Sequence, residues 1–360
     1  MHPYFHHLFD FLQGRGEAAA APRCSLTAVA GGLAGAYGLG ARLRRFLYAN
    51  EILQAKYLPA LVVSVGNLAV GGAGKTPVTA CLTRFFQAAG KKVAILSRGY
   101  GGQNSGVTCI SDGQQIYQKP PQVGEEAYWL ARHLPGAAVY TGTSRYEAGK
   151  LAWEQIKPDI FLLDDGFQHF QLYRDLDLVL LDAAAPFGNG FLLPRGILRE
   201  PKSALTAAQV LILTRYQEDR DSQTLTDLQA AYPVKTILTA AIAPSAARLY
   251  PEGRVESPTA LNGQTLMAFA GLARPEVFQR SLADLGVRLI GFRAFPDHHP
   301  FTQAEMVALV REAQAAGAAA LITTAKDWAR LGEEWDGALP LWVLEVEAHI
   351  SQPERILEFL

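Results

Sequence analysis

Residues 58–79 read LPALVVSVGNLAVGGAGKTPVT. The apolar run at the front, rich in β-branched residues, has the pattern of a strand buried on both faces. It empties into a glycine-rich turn, and a helix is expected to open at Thr76 with Pro77 in its first turn. A buried strand passed through such a turn into a helix belongs to an α/β fold with a parallel sheet. Gly71, Gly72 and Gly74 free the backbone to point several N–H groups inward, and the helix N-terminus adds its dipole, which makes a nest for an anion. Lys75 is placed to reach β- and γ-phosphates, and the Thr76 hydroxyl to ligate Mg²⁺. The candidate phosphate loop is therefore Ala69, Val70, Gly71, Gly72, Ala73, Gly74, Lys75 and Thr76. Ala69 stands where the pattern G-x-x-x-x-G-K-[ST] has its first glycine, a position that shapes the mouth of the loop.

The same alternation continues along the chain. KKVAILS, VTCIS, AAVYTG, DIFLLDD, LDLVLLDA and QVLILTR read as strands, with helices at GEEAYWLARHL and at SRYEAGKLAWEQI, where Ser144 and Glu147 form a capping box. Residues 216–264 are polar and turn-rich. Alternation then resumes from TLMAFAGLA to LPLWVLEVEA. The 360 residues suffice for two domains. The expected architecture is a P-loop-containing α/β/α sandwich (residues 49–240), a second, smaller α/β domain closing a cleft (241–360), and an N-terminal membrane-associated helical arm (1–48). The arm follows from the uncharged stretch Cys24–Ala41, weakly apolar and rich in alanine and glycine, with Arg42, Arg44 and Arg45 directly after it. Such a segment suits an arm lying on a membrane surface; a helix packed on the protein's own core is the alternative. The aromatic MHPYFHHLFDFLQG precedes it. A net charge of -1 argues against a dedicated nucleic-acid binder. Three scattered cysteines form neither a metal pair nor a disulfide framework, which fits a reducing compartment.

A phosphate loop of this kind needs an acid at the end of a neighbouring strand to share Mg²⁺. Asp164 and Asp165 in IFLLDDGFQH supply it, and Gln168 and His169 follow on the same turn. Glu125 and Glu126 open a helix, where carboxylates stabilise the N-terminal dipole or serve as a base or metal partner. Asp297, His298 and His299 lie between a strand and a helix starting near Thr302. Adjacent histidines without a further ligand spacing are a poor zinc site; one of them could move a proton.

In order, SVGNLAVGGAGKTP, LSRGYGG, VGEEA, DDGFQH, PFGNGFLLPRGILREP, AFAGLARPEVF and FPDHHPFT resemble the tetraacyldisaccharide 4'-kinases of lipid A biosynthesis and cover most of the chain. The resemblance implies transfer of the ATP γ-phosphate to the 4'-hydroxyl of a lipid-linked disaccharide 1-phosphate, with Mg²⁺, at the cytoplasmic face of the bacterial inner membrane. The partners it implies are that lipid substrate and the membrane, with no nucleic acid and no obligate protein partner. Carried over by position, Lys75 and Thr76 belong to the phosphate loop, and Asp164 and Asp165 to the acidic pair. Glu126 is expected as a further metal partner. Arg199 and Glu200 match positions facing nucleotide or metal. His298 pairs with the acid of the Val-Gly-Asp-Glu segment, here Glu125, one methylene longer than the usual aspartate. In TTAKD, Ala325 replaces a usual glutamate and leaves Lys326 and Asp327. A P-loop GTPase or regulatory ATPase would instead need a guanine-reading Asn-Lys-x-Asp, of which TAKD is a poor echo. A membrane-binding protein with a dead P-loop is disfavoured by the intact Gly-Lys-Thr and Asp-Asp.

Overall fold

A computed structural model describes residues 23–104, 106–297, 299–332, 335 and 337–360, with side chains from Thr27 onward. The aromatic segment at residues 1–14 and His298 lie outside the described residues. The arm is helix α1 (Arg23–Ala49). Strand β1 (Leu61–Asn67) then leads through the glycine loop into α2 (Lys75–Ala88). The first half continues with β2 (Val93–Ser97), β3 (Thr108–Ser111), α3 (Glu125–His133), β4 (Ala138–Thr141), α4 (Arg145–Ile156), β5 (Ile160–Asp164), β6 (Leu176–Asp182) and β7 (Val210–Thr214). The polar stretch after it folds as α5 (Glu218–Ala231), followed by the 15-residue strand β8 (Thr236–Tyr250). The second half holds β9 (Arg254–Glu256), β10 (Thr265–Ala270), α6 (Pro275–Asp284), β11 (Arg288–Ala294), α7 (Gln303–Ala315), β12 (Ala320–Thr324), α8 (Ala325–Arg330) and β13 (Leu341–Ile350).

All these strands join one sheet, in the order β11-β10-β12-β13-β8-β7-β6-β1-β5-β2-β4-β3, with β9 on β8. The pairings are parallel except β3–β4, β8–β9 and β8–β13. The β1 residues Val62, Val63 and Val65 are fully enclosed, as the continuous apolar run requires. Pairing of β8 to β7 ends at Ala240. Pairing of β13 to β12 begins only at Leu344, opposite Ala247. Between those points β8 and β13 alone carry the sheet from one half to the other, and their register slips between Glu345 and Val346, leaving Ser245 as an extra residue. The end of β13 and the chain's last turn return to the first half, where Ala348, Ile350 and Ile356 pack with Val78, Leu82 and Phe86 of α2. The sequence placed residues 241–360 together; the C-terminal residues have their core on the other side of the ribbon because the antiparallel β13 must run back along β8.

Helix α1 buries a narrow strip, Ala30 and Ala34. A Cβ on Gly38 would come within 2.5 Å of Leu192 Cδ1, so the small residues let the helix lie close to the body. Arg45 donates from Nε and Nη2 to Glu200 Oε2 (2.8 and 2.6 Å) and stacks over Phe167 and Phe170. The opposite face exposes Val29, Leu33, Leu39, Leu43 and Phe46. Among the described residues, no helix is long and apolar enough to cross a membrane.

Candidate active site

The phosphate loop is locked from outside. Val70 N–H donates to the Ile197 carbonyl and Arg199 N–H to the Leu68 carbonyl (2.7 and 2.6 Å), while Ala69 bridges to Leu198. Ala69 keeps a negative φ; the left-handed turns fall at Gly71 (φ 110°) and Gly74 (φ 78°). At Gly74 a side chain would be excluded twice, since its Cβ would lie 2.4 Å from Ile242 Cδ1 on β8. Helix α2 starts at Lys75, one residue earlier than the sequence reading.

Lys75 Nζ lies 3.3 Å from Asn67 Oδ1 and 3.7 Å from Asp165 Oδ1. Asp165, just beyond β5 and itself left-handed at φ 55°, accepts from both Arg199 Nη atoms (3.1 and 2.8 Å). Burial pushes its carboxyl up, but Arg199 and Lys75 outweigh that and hold it at about 2. Asp164 is almost fully enclosed and accepts from the Thr79 hydroxyl at 3.3 Å. Burial, then the negative charge of Glu126, push it up to about 7. A buried carboxylate so raised, facing a second carboxylate beside a phosphate loop, is where a divalent cation fits. Thr76 is half-buried in the first turn of α2, and its hydroxyl makes no bond among the described residues. No group of three or more His, Cys, Asp or Glu could hold a metal among the described residues. Mg²⁺ shared with phosphates needs only one or two carboxylates, so Thr76 and Asp164 fit such an ion.

The other expected residues carry ion pairs of their own. Glu200, expected to face the metal, gives its Oε2 to Arg45 of α1. It therefore ties the arm to the residue next to Arg199. Glu126 Oε1 pairs with Lys326 Nζ at 3.1 Å, and Lys326 lies 3.9 Å from Asp297. Glu125 Oε2 accepts from Arg330 Nε at 2.7 Å. Arg330 is buried and also donates to Asp327 and to the Gly271 carbonyl (both 2.7 Å). Two neighbouring carboxylates of α3 thus meet two cations one turn apart on α8, across the cleft. Asp327 is enclosed, bound by Arg330 and Thr324, and not available to read a base, which removes the faint guanine signal of TAKD. Gln168 donates to the Asn67 carbonyl at 3.0 Å. His169 lies nearby with its Nε2 buried; burial, then Arg145, depress its pKa to about 4.

Several site residues escaped the sequence reading. Asn67 links Lys75, Arg199 and the loop, accepting from both side chains through Oδ1. Arg145 is buried near Asp164 and Asp165, yet it follows a helix cap and reads as an ordinary first-turn residue. Asp182, at the end of β6, accepts from Arg215 Nη1 (2.6 Å) and Arg274 Nη2 (2.5 Å), and Arg215 Nη2 donates to the Gly72 carbonyl (2.6 Å). Their only sequence signal is that each stands at the end of an apolar strand or just past it, where α/β folds place ligand contacts.

Comparison with known proteins agrees with this geometry. The family described as "Tetraacyldisaccharide-1-P 4'-kinase" matches residues 28–360. The tetraacyldisaccharide 4'-kinase of Geobacter metallireducens is 43% identical over 297 residues, 82% of this chain and 86% of the relative. That of Geobacter sulfurreducens is 41% identical over 339 residues, 94% of both. Among solved structures, "apo" form LpxK of Aquifex aeolicus in complex with ATP superposes with a TM-score of 0.74 at 30% identity, covering 93% of this chain and 98% of that one.

Proposed function

The chain belongs to the tetraacyldisaccharide 4'-kinase family, and on that premise we propose how its residues carry the reaction. It is an ATP-dependent kinase that transfers the γ-phosphate to the 4'-hydroxyl of a tetraacyldisaccharide 1-phosphate in lipid A biosynthesis. The observation that carries the residue assignment is the junction of Lys75, Asp165, Arg199 and Asn67 beneath the glycine loop, with Asp164 and Glu126 alongside.

Phosphoryl transfer asks little covalent chemistry of the protein; positioning and charge neutralisation dominate. The N–H groups of residues 69–76 and the α2 dipole hold the phosphates. Lys75 exchanges Asp165 and Asn67 for the β- and γ-phosphate oxygens, while Arg199 keeps Asp165 anionic and in place. Thr76 and Asp164, with Glu126 and Asp165 close by, would hold Mg²⁺, which would further neutralise the phosphate charge. The 4'-oxygen attacks the γ-phosphorus, the bond to the β-phosphate oxygen breaks, ADP leaves, and the sugar proton passes to Glu125 acting with His298. Glu125 begins this cycle paired with Arg330, whose Nε donates to its Oε2 at 2.7 Å. Residues 49–240, with the end of β13 and the chain's last turn packed on α2, form the nucleotide half, and the rest of residues 241–360 the half that closes over it, expelling water that would waste ATP.

The exposed apolar face of α1, with Arg42 and Arg44 beside it, lies on the cytoplasmic surface of the inner membrane and brings the site to its lipid acceptor. The test is direct. The protein is incubated with Mg·ATP and tetraacyldisaccharide 1-phosphate in vesicles, and a second phosphate monoester on the sugar is sought. Its absence with intact nucleotide binding would refute the assignment.

A further inference from the structure

Arg42 and Arg44 of α1 are exposed, whereas Arg45 turns into the body, its side chain 20% exposed. It does two things there. Its Nε and Nη2 both donate to Glu200 Oε2, at 2.8 and 2.6 Å, on a carboxylate that is itself buried. Its flat guanidinium also lies over two rings, with Cζ 4.9 Å from the centroids of both Phe167 and Phe170. Tyr48, on the same helix, adds its ring against Phe170 at 5.6 Å.

These contacts fall on the two segments that shape the site. Phe167 and Phe170 belong to the turn that opens with Asp164 and Asp165. Phe167 is fully buried, and a Cβ on Gly66 would lie 2.5 Å from its own Cβ, so the turn is seated hard against β1. Glu200 follows Arg199, whose two Nη atoms hold Asp165 and whose N–H closes on the Leu68 carbonyl. One arginine of the arm thus touches both jaws of the grip that holds Lys75. The charges give the reason. A buried carboxylate left without a cation is costly, and the cation next to Glu200 in the chain is Arg199. By satisfying Glu200, Arg45 leaves Arg199 to Asp165. We propose that Arg45 is a positioning residue for phosphoryl transfer: from α1 it fixes the turn after β5 to the Arg199–Glu200 segment and so keeps Asp165, Arg199 and Lys75 in register. A guanidinium offers paired N–H donors and a stacking face at once, which an ammonium does not. The inference rests on the reading of the site given above and gives the arm a task inside that site, apart from membrane contact.

The experiment measures turnover of the full chain with Mg·ATP and tetraacyldisaccharide 1-phosphate in detergent micelles, where attachment to a bilayer plays no part, and flotation on anionic vesicles beside it. Arg45→Ala should lower kcat by about 10- to 100-fold, the cost of displacing a reacting group by about 1 Å, and float as the parent does. Arg45→Lys, which keeps the charge and tests the idea even if the alanine variant fails to fold, should still lose about 5-fold or more in kcat. If Arg45 acts through Arg199, the losses will not add: in an Arg199→Ala background, Arg45→Ala or Arg45→Lys should cost less than about 3-fold more. Parent-like micelle turnover in either Arg45 variant overturns the proposal. So do additive losses with Arg199→Ala, which would make Arg45 a general support of the fold. Lys75→Ala is the control for the underlying reading: turnover surviving in that variant faults the phosphate loop, not the role of Arg45.

Discussion

Asp164→Asn should make the nucleotide-free protein more stable while disabling it, and the size of the gain should depend on pH. The carboxyl is raised from 3.8 to about 7, first by burial and then by the Glu126 charge. A carboxyl that titrates higher in the folded chain than in the unfolded one holds its proton longer when folded. Its cost is therefore absent below pH 3.8, grows through the window up to 7, and is complete above it. About three pH units at 1.36 kcal/mol each give roughly 4 kcal/mol at pH 8, and the same relation gives about 2 kcal/mol at pH 5. Asparagine, which never ionises, escapes this cost and can still accept from the Thr79 hydroxyl. Urea unfolding of parent and variant without nucleotide, at pH 5 and pH 8, should show the variant more stable at both and by about 2–3 kcal/mol more at pH 8. Mg·ATP should reverse the order, because the parent gains a ligand-linked increment the variant lacks. A stability difference that is the same at both pH values, or an asparagine variant less stable at pH 8, would refute the reasoning.

Lys75→Ala should remove detectable phosphotransfer in the vesicle assay while leaving the fold intact by circular dichroism, and a normally active variant would contradict the phosphate-loop assignment. Glu125→Gln should lower turnover by about 10²–10⁴-fold with ATP affinity kept, as for loss of a general base; Glu125→Asp should retain substantial activity, and a fully active glutamine variant would send the search for the base to Glu126. Removing residues 1–48 should weaken binding to anionic liposomes in a flotation assay, since it takes away the exposed Val29, Leu33, Leu39, Leu43 and Phe46 face; undiminished flotation would detach the arm from membrane binding.

What could be read from the sequence was what depends on local pattern. The β1 run, the glycine loop, the Ser144 cap, the helix start near Thr302 and the acids ending β5 are each set by neighbours a few residues away; the full capping box forms at Thr302 and Glu305, while at Ser144 only the Ser side chain caps, accepting from the Glu147 N–H. Strand β8 was hidden because TILTAAIAPSAARLY carries alanines and a proline where a strand pattern wants alternation, and most of its length is paired to β13, over 90 residues off. The same distance concealed the partner choices. Nothing near Glu200 in the chain announces Arg45, 155 positions earlier, and nothing near Glu125 announces Arg330, 205 positions later. Charges read as catalytic or metal-facing from one segment turned out to be matched by a segment the sequence gives no reason to bring close.

The slip at Ser245 has a mechanical consequence. Where other two-part proteins articulate through a loop, here the joint is a two-stranded ribbon with a bulge, which resists bending out of the sheet and yields most easily in torsion. Strand β10 lies three places from β8 in the sheet, a lever of about 14 Å at the usual strand spacing. A torsion of about 10° at the bulge would swing that lever's tip by about 2.5 Å, enough to part a hydrogen bond such as that between Arg274 and Asp182. A single residue of misregister in the ribbon thus gears a small twist into the making or breaking of contacts at the far rim of the cleft.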